Sequence, residues 1–223
     1  MSSITATPST TVADTVYTEI RDDILYGELQ PGSKLKLDGL RERYNVSVNT
    51  LREVLNRLSA FGFVTAEGQK GFRVVETTRT NFHELTEMRL LLETDGLAKS
   101  IKAGDVEWEA RIAAAHHKLS KVEQQMLDGQ NRDLTALWSQ YDREFHQALI
   151  SACGSQLHMK MHREIFDQFR RYVVIELKTH GFRAEEIIDE HHTIFDLALA
   201  RRGDEALTAL ADHIVTYRRR SQN

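Results

Sequence analysis

The stretch Val46-Ser47-Val48-Asn49-Thr50-Leu51-Arg52-Glu53-Val54-Leu55-Asn56-Arg57-Leu58-Ser59-Ala60-Phe61 opens on a helix cap and then splits into two faces. Ser47 suits the N-cap position, where its hydroxyl accepts from a free N–H of the first turn. Leu51, Val54, Leu55 and Leu58 fall at i, i+3, i+4 and i+7 and make one apolar stripe. Asn49, Arg52 and Asn56 project elsewhere, with Thr50 and Glu53 beside them. Arg and Asn are the side chains that pair two-pronged with base edges in a major groove. A short helix with an apolar back and Asn, Thr and Arg near its start has the form of a recognition helix.

The flanks support that reading. Upstream, Lys34-Leu35-Lys36-Leu37-Asp38 leads into Gly39-Leu40-Arg41-Glu42-Arg43-Tyr44, a short helix expected to be capped by Asp38. Asn45 tolerates the left-handed conformation of a tight turn, so the two helices read as a helix-turn-helix. Downstream, Phe63-Val64-Thr65 and Phe72-Arg73-Val74-Val75 are rich in strand formers around Glu67-Gly68-Gln69-Lys70-Gly71. That pattern is a hairpin, a wing with Gln69 and Lys70 at its tip. Earlier, Val16, Tyr17, Ile20 and Ile24 mark a first helix that stops at Gly27, before Pro31-Gly32.

These residues, in this order and spacing, resemble the winged-helix domain of GntR-type transcription regulators over roughly residues 12 to 76. The resemblance rests on Gly27-x-Leu29-x-Pro31-Gly32, Val46-Ser47-x-x-Thr50-Leu51-Arg52-Glu53-x-Leu55, Gly62-Phe63-Val64 and Gly71-Phe72-x-Val74. It implies that Arg52 contacts a guanine and that Val48, Asn49 and Thr50 meet DNA. Many relatives carry a basic residue where this chain has Val48, so one contact of the family is expected to be missing. The full expected contact set is Arg41, Ser47, Val48, Asn49, Thr50, Arg52, Asn56, Gln69 and Lys70.

Charge agrees. The 223-residue chain has a net charge of −4, which argues against nucleic acid coating its whole length. From Lys34 to Arg73, however, eight Lys or Arg face four Asp or Glu, so this segment carries +4 and the remainder −8. A local basic patch suits phosphate contact. The lone Cys153 cannot form an internal disulfide, which points to a reducing cytoplasm. Residues 1–11 are Ser/Thr-rich without an apolar core and read as a disordered tail rather than a signal peptide. No apolar run approaches the ~18 residues needed to cross a bilayer, so no membrane partner is expected.

After Val75 the character changes. Glu76-Thr77-Thr78-Arg79-Thr80 is polar, giving a linker at 77–80, and no proline follows it. Helical periodicity then runs almost to the end, broken near Gly104, Gly129, Gly154, Gly181 and Gly203. The pattern predicts six helices near 81–103, 105–128, 131–153, 155–180, 184–202 and 204–220. The fold class is therefore mostly α: a winged helix-turn-helix at 12–76, then an all-α antiparallel helical bundle at 81–223.

All ten histidines lie in that second part. Asp142 and His146 stand four apart and project from one side of a helix, among Trp138, Leu149 and Ile150. His191 sits at the centre of the stripe Ile187, Ile188, Ile194, Phe195 and Ala198. His213 shares a face with Ala206, Leu210, Ile214 and Tyr217. One carboxylate and three imidazoles turned inward are each costly to bury alone. Spacing leaves two readings open: separate hydrogen-bonded core histidines, or one divalent metal held by all four. Three nitrogens and one oxygen suit zinc, nickel or a related ion better than calcium or magnesium.

A helical bundle behind a GntR-type wing resembles the FadR subfamily and its FCD ligand-binding domain. That resemblance implies a metal held by an Asp-x-x-x-His and two later histidines, which Asp142, His146, His191 and His213 match. It also implies that Arg89, in Glu87-Met88-Arg89-Leu90-Leu91-Leu92-Glu93, pairs with an effector carboxylate, against a plain surface salt bridge to Glu93. His192 is expected at the stripe's edge, and His116, His117, His158, His162 and His180 in ordinary structural roles. The whole then reads as a homodimeric transcription regulator, commonly a repressor, that binds a palindromic operator and a small organic acid. A metal-sensing regulator and a metal-dependent enzyme acting on small acids are the alternatives.

Overall fold

The computed structural model describes residues 11–128, 134–181 and 184–220. The chain divides after Glu76 into two compact units.

In the first unit α1 spans Val12–Leu25, α2 Leu37–Tyr44 and α3 Val48–Ala60. Thr11 caps α1 in a reciprocal capping box with Asp14, so it belongs to the helix rather than to the tail expected at 1–11. The rest of that tail lies outside the described residues. Asp38 does not cap α2. The helix starts one residue before it, from Lys36 with no side-chain cap, and the carboxylate sits in the first turn, where the helix dipole favours it. Asn45 ends α2 in the left-handed conformation, φ 51°, and Ser47 caps α3 by accepting from Thr50 N–H. The stripe Leu51, Val54, Leu55 and Leu58 is completely buried, packing α3 against α1 and α2.

The wing pairs β2 (Val64–Ala66) with β3 (Phe72–Val74) antiparallel, Thr65 opposite Arg73. A single 3-10 turn at Gly68–Lys70 makes its tip. A third strand, β1 (Lys34–Leu35), lies on the other side of β3. Its alternation of Lys34 out and Leu35 in is the period of a half-buried strand, too short to stand out in sequence.

The second unit is the six-helix bundle: α4 Arg79–Ala103, α5 Val106–Leu127, α6 Thr135–Leu149, α7 Gln156–His180, α8 Ala184–Leu199 and α9 Gly203–Arg220. The linker expected at 77–80 is shorter, because the Thr78 hydroxyl accepts from Asn81 N–H and starts α4 at Arg79. Asp105 and Ser155 cap α5 and α7 in the same way. The third helix of the bundle ends at Leu149, before the expected 153, in a turn that Gly154 closes at φ 75°. Gly96 of α4 permits a close approach, since a Cβ there would stand 2.9 Å from the Ile150 side chain. Helix α4 packs on α7 and α9, α5 on α6 and α8, and α8 on α9. Their apolar faces enclose one core containing Trp108, Trp138, Phe145, Phe169, Ile194 and Leu210. Among the described residues no helix is long and apolar enough to cross a membrane.

Candidate metal centre and nucleic-acid interface

Asp142 and His146 reach the middle of the bundle from α6, His191 from α8 and His213 from α9. All four are at most 5% exposed, and each places one ligand atom within 4.8 Å of the others. Asp142 Oδ1 stands 3.5 Å from His146 Nε2 and 3.4 Å from His191 Nε2. None of these three atoms makes a hydrogen bond. Two donors bonded to one ion at about 2.0–2.2 Å in a tetrahedral arrangement stand roughly 3.3–3.6 Å apart. Buried polar atoms normally find partners, so three inward atoms at that spacing fit a shared cation.

The far nitrogen of each imidazole is held by a carboxylate. His146 Nδ1 lies 2.6 Å from Glu93 Oε2, His191 Nδ1 2.7 Å from Glu123 Oε1 and His213 Nδ1 2.8 Å from Glu190 Oε2. In the neutral ring, a proton on Nδ1 donated to the carboxylate leaves the Nε2 lone pair facing the centre. This is the arrangement that orients metal-ligating histidines and raises their basicity. Burial works against charge on His191, but Asp142 and Glu123 outweigh it and push its pKa up to about 9. Burial, with His191 and His146 adding, pushes His213 down to about 4. Burial disfavours ionised Asp142, yet the flanking imidazoles hold its carboxyl well below the usual range.

Arg89 is not at the surface. Only 1% exposed, it donates to Glu93 through Nε (2.6 Å) and Nη2 (3.2 Å). Its guanidinium lies over Phe166 and Phe169, 4.2 and 4.4 Å from the ring centres. Burial disfavours the Glu93 charge, but Arg89 and His146 hold its pKa well below the usual carboxylate value. The surface salt bridge considered from sequence is thus an internal ion pair that also fixes His146. His162, expected to be ordinary, is completely buried with Nε2 3.2 Å from Glu93 Oε1.

The other histidines sit apart from the cluster. His192 is exposed, His158 Nε2 meets Leu92 O at 2.7 Å, and His180 pairs with Glu176. His117 is exposed, and His116 is buried against Phe195. Tyr217, expected on the His213 face, has its side chain outside the described residues.

Glu93 as a bonded partner of His146, and Glu123 and Glu190 altogether, escape sequence reasoning. Glu123 had a signal, since it continues the buried row Ile112, His116, Leu119 along α5. Glu190 had none, because its role depends on where α9 passes.

In the first unit the expected DNA-contact residues fall on an accessible surface. Arg41, Ser47, Asn49, Arg52, Asn56 and Lys70 are exposed, and Val48 and Thr50 are half-buried. The Gln69 side chain lies outside the described residues. The Ser47 and Thr50 hydroxyls bond each other at 2.9 Å while Ser47 caps the helix. Three of the eight basic side chains are held internally: Arg43 by Asp23, Arg57 by Asp14 and Arg73 by Glu67. Lys34, Lys36, Arg41, Arg52 and Lys70 enter no salt bridge or side-chain hydrogen bond among the described residues, and all five are exposed.

The sequence profile described as bacterial regulatory proteins, gntR family, matches residues 12–74, and that of the FCD domain matches residues 84–216. The chain belongs to the GntR family and carries an FCD domain. This GntR regulator is 34% identical over 204 residues to the HTH-type transcriptional regulator BphR of Paraburkholderia xenovorans, covering 90% of this chain and 81% of that protein. It is 32% identical over 203 residues to the HTH-type transcriptional repressor GlaR of Escherichia coli, covering 90% and 91%. The solved structure of E. coli McbR/YncC shares its fold, with a TM-score of 0.79 at 17% identity over 96% of this chain and 99% of that one. The GntR/FCD protein is thus a DNA-binding transcription regulator and not an enzyme, which removes the catalytic alternative.

Proposed function

We propose that this regulator is a repressor that binds a palindromic operator as a homodimer and releases or regrips it when a small organic acid enters a metal-containing FCD domain. One winged helix reads only a few base pairs, and a two-fold dimer supplies the second reader for a symmetric site. Arg52 reads a guanine two-pronged, Asn49 and Asn56 flank it, and Arg41 and Lys70 meet phosphates, with Gln69 beside Lys70 at the wing tip. The repressor reading draws on GlaR, a relative that carries that title.

Asp142, His146, His191 and His213 would hold a divalent transition metal, zinc or nickel by the preference of three nitrogens and one oxygen. When bound, such an ion would supply a Lewis-acidic centre able to accept an acid's carboxylate. Glu93, Glu123 and Glu190 keep the three imidazoles turned to the centre, and Arg89 fixes Glu93. Nη1 of Arg89 makes no hydrogen bond among the described residues, and this is the donor an effector carboxylate would meet. The effect on DNA is then a coupling between distinct sites.

The convergence of four buried ligand atoms, each imidazole backed by a carboxylate, carries this reading. His191→Ala tests it. Metal content should fall to background and organic acids should no longer alter operator binding, while operator affinity without effector stays near wild type. Retained metal and an unchanged acid response would refute the assignment. Operator affinity that follows added metal with no acid present would favour metal sensing instead.

A further inference from the structure

A second ligand site is built outside the metal cluster. Helices α5 and α8 pack side by side, and between them runs a groove of about 470 Å³ lined by His116, His117, Lys121, Gln124, His192 and Phe195, among others. Its size matches small-molecule sites, commonly about 300–1,000 Å³. Its floor is aromatic: the His116 ring stacks on Phe195 with centres 4.1 Å apart and planes 7° from parallel. The His192 ring meets His116 edge-on at 4.6 Å. Burial, with His192 and His191 adding, pushes the His116 pKa down to about 4, so at neutral pH this stacked pair carries no charge.

The rim differs. Lys121 and His117 stand four apart on α5, and Gln124 and His192 complete a set of N–H donors that are all exposed. None of the groove's lining residues is acidic, although residues 74–223 carry a net charge of −4, with 20 Lys or Arg against 24 Asp or Glu. Asp196 and Glu123 act on His116 from outside the lining. An apolar floor beneath an ammonium, imidazoles and an amide is complementary to a planar body bearing one negative end.

We propose that the α5–α8 groove binds a planar organic carboxylate, its ring packed against the stacked His116–Phe195 pair and its carboxylate at Lys121 and His192. The site is separate from the acid position at the metal cluster but bears on it. The Phe145 ring touches both, with its centre 5.6 Å from that of His116 and 5.6 Å from that of His191. His191 and His192 are successive residues of α8, one in the cluster and the next in the groove.

Isothermal titration of benzoate into the full chain tests this. One benzoate should bind per chain, and EDTA should leave that binding unchanged, since no groove contact uses the cluster. Acetate, which lacks the ring, should bind at least about tenfold more weakly. Lys121→Met, at an exposed position, should weaken benzoate about tenfold, as expected for a lost charge-assisted hydrogen bond; His192→Leu should act in the same direction. Absence of benzoate binding, or binding indifferent to both substitutions, overturns the proposal. Binding abolished by EDTA and by His146→Ala but insensitive to Lys121→Met also overturns it, and places the acid at the metal cluster instead.

Discussion

Glu93→Gln removes a single negative charge from the bundle interior, and the structure says what that does. Both carboxylate oxygens accept: Oε1 from Arg89 Nε, and Oε2 from Arg89 Nη2 and His146 Nδ1. A glutamine fits the space, but in either orientation its NH₂ faces a donor. Arg89 cannot follow the lost charge to water, because Phe166 and Phe169 hold its guanidinium in a site 1% exposed. Removing one partner of a buried pair costs about 3–5 kcal/mol. At roughly 2–4 °C per kcal/mol for a chain of this size, the melting temperature should fall by roughly 6–20 °C. The measurement is thermal unfolding of EDTA-treated protein, so that loss of a bound ion does not contribute. Arg89→Met/Glu93→Gln removes the stranded cation, and apolar replacement of a buried pair is often neutral, so the double variant should melt above the single one. A Glu93→Gln protein as stable as wild type, or a double variant no better than the single, would refute the argument that this pair is held by its burial.

Glu123→Gln isolates the orienting role. Glu123 also accepts from His191 and Trp138 but has no buried arginine beside it in any hydrogen bond or salt bridge among the described residues. Metal affinity should therefore drop about 10–100-fold, read by competition with a metal chelator, with less thermal destabilisation than Glu93→Gln. Arg52→Ala, at an exposed residue with no side-chain pairing among the described residues, should weaken operator binding by about 1–3 kcal/mol and leave the melting temperature unchanged. Fluorescence anisotropy against the operator and a scrambled duplex checks this, and equal losses on both would move base readout to another residue. Ser47→Ala should cost about 1 kcal/mol of stability through the lost helix cap, measured by denaturant unfolding.

The elements were legible where a local rule sufficed. Ser47 and Asn45 bracket the recognition helix through side-chain and backbone chemistry that depends on immediate neighbours only. The bundle helices followed from apolar period and glycine breaks. Helix starts were less legible: Asp38 and Thr78 are both plausible caps, and only Thr78 caps. The buried quartet Asp142, His146, His191 and His213 could be picked out because each member falls on an apolar stripe, a property of one helix at a time, but spacing left open whether the four meet. The carboxylates behind it depend on pairs of helices. Glu93 meets α6 and Glu123 meets α8, and no periodicity within α4 or α5 tells which helix lies opposite.

This division of labour also explains how one small centre can be felt throughout the bundle. The hydrogen-bonded shell takes Arg89 and Glu93 from α4, Glu123 from α5, Asp142 and His146 from α6, Glu190 and His191 from α8, and His213 from α9. His162 of α7 closes on Glu93 at 3.2 Å. Every helix of the bundle therefore contributes a side chain within one hydrogen bond or close polar contact of a ligand residue or of its carboxylate. The proposed acid, if it drew one imidazole by a fraction of an ångström, would either stretch a hydrogen bond to a carboxylate in a dry interior, where such bonds are strong, or carry a neighbouring helix with it. Close-packed interiors transmit such strain rather than absorb it. On the function proposed above, the carboxylates behind the histidines would be the parts through which a ligand's arrival becomes a change of shape.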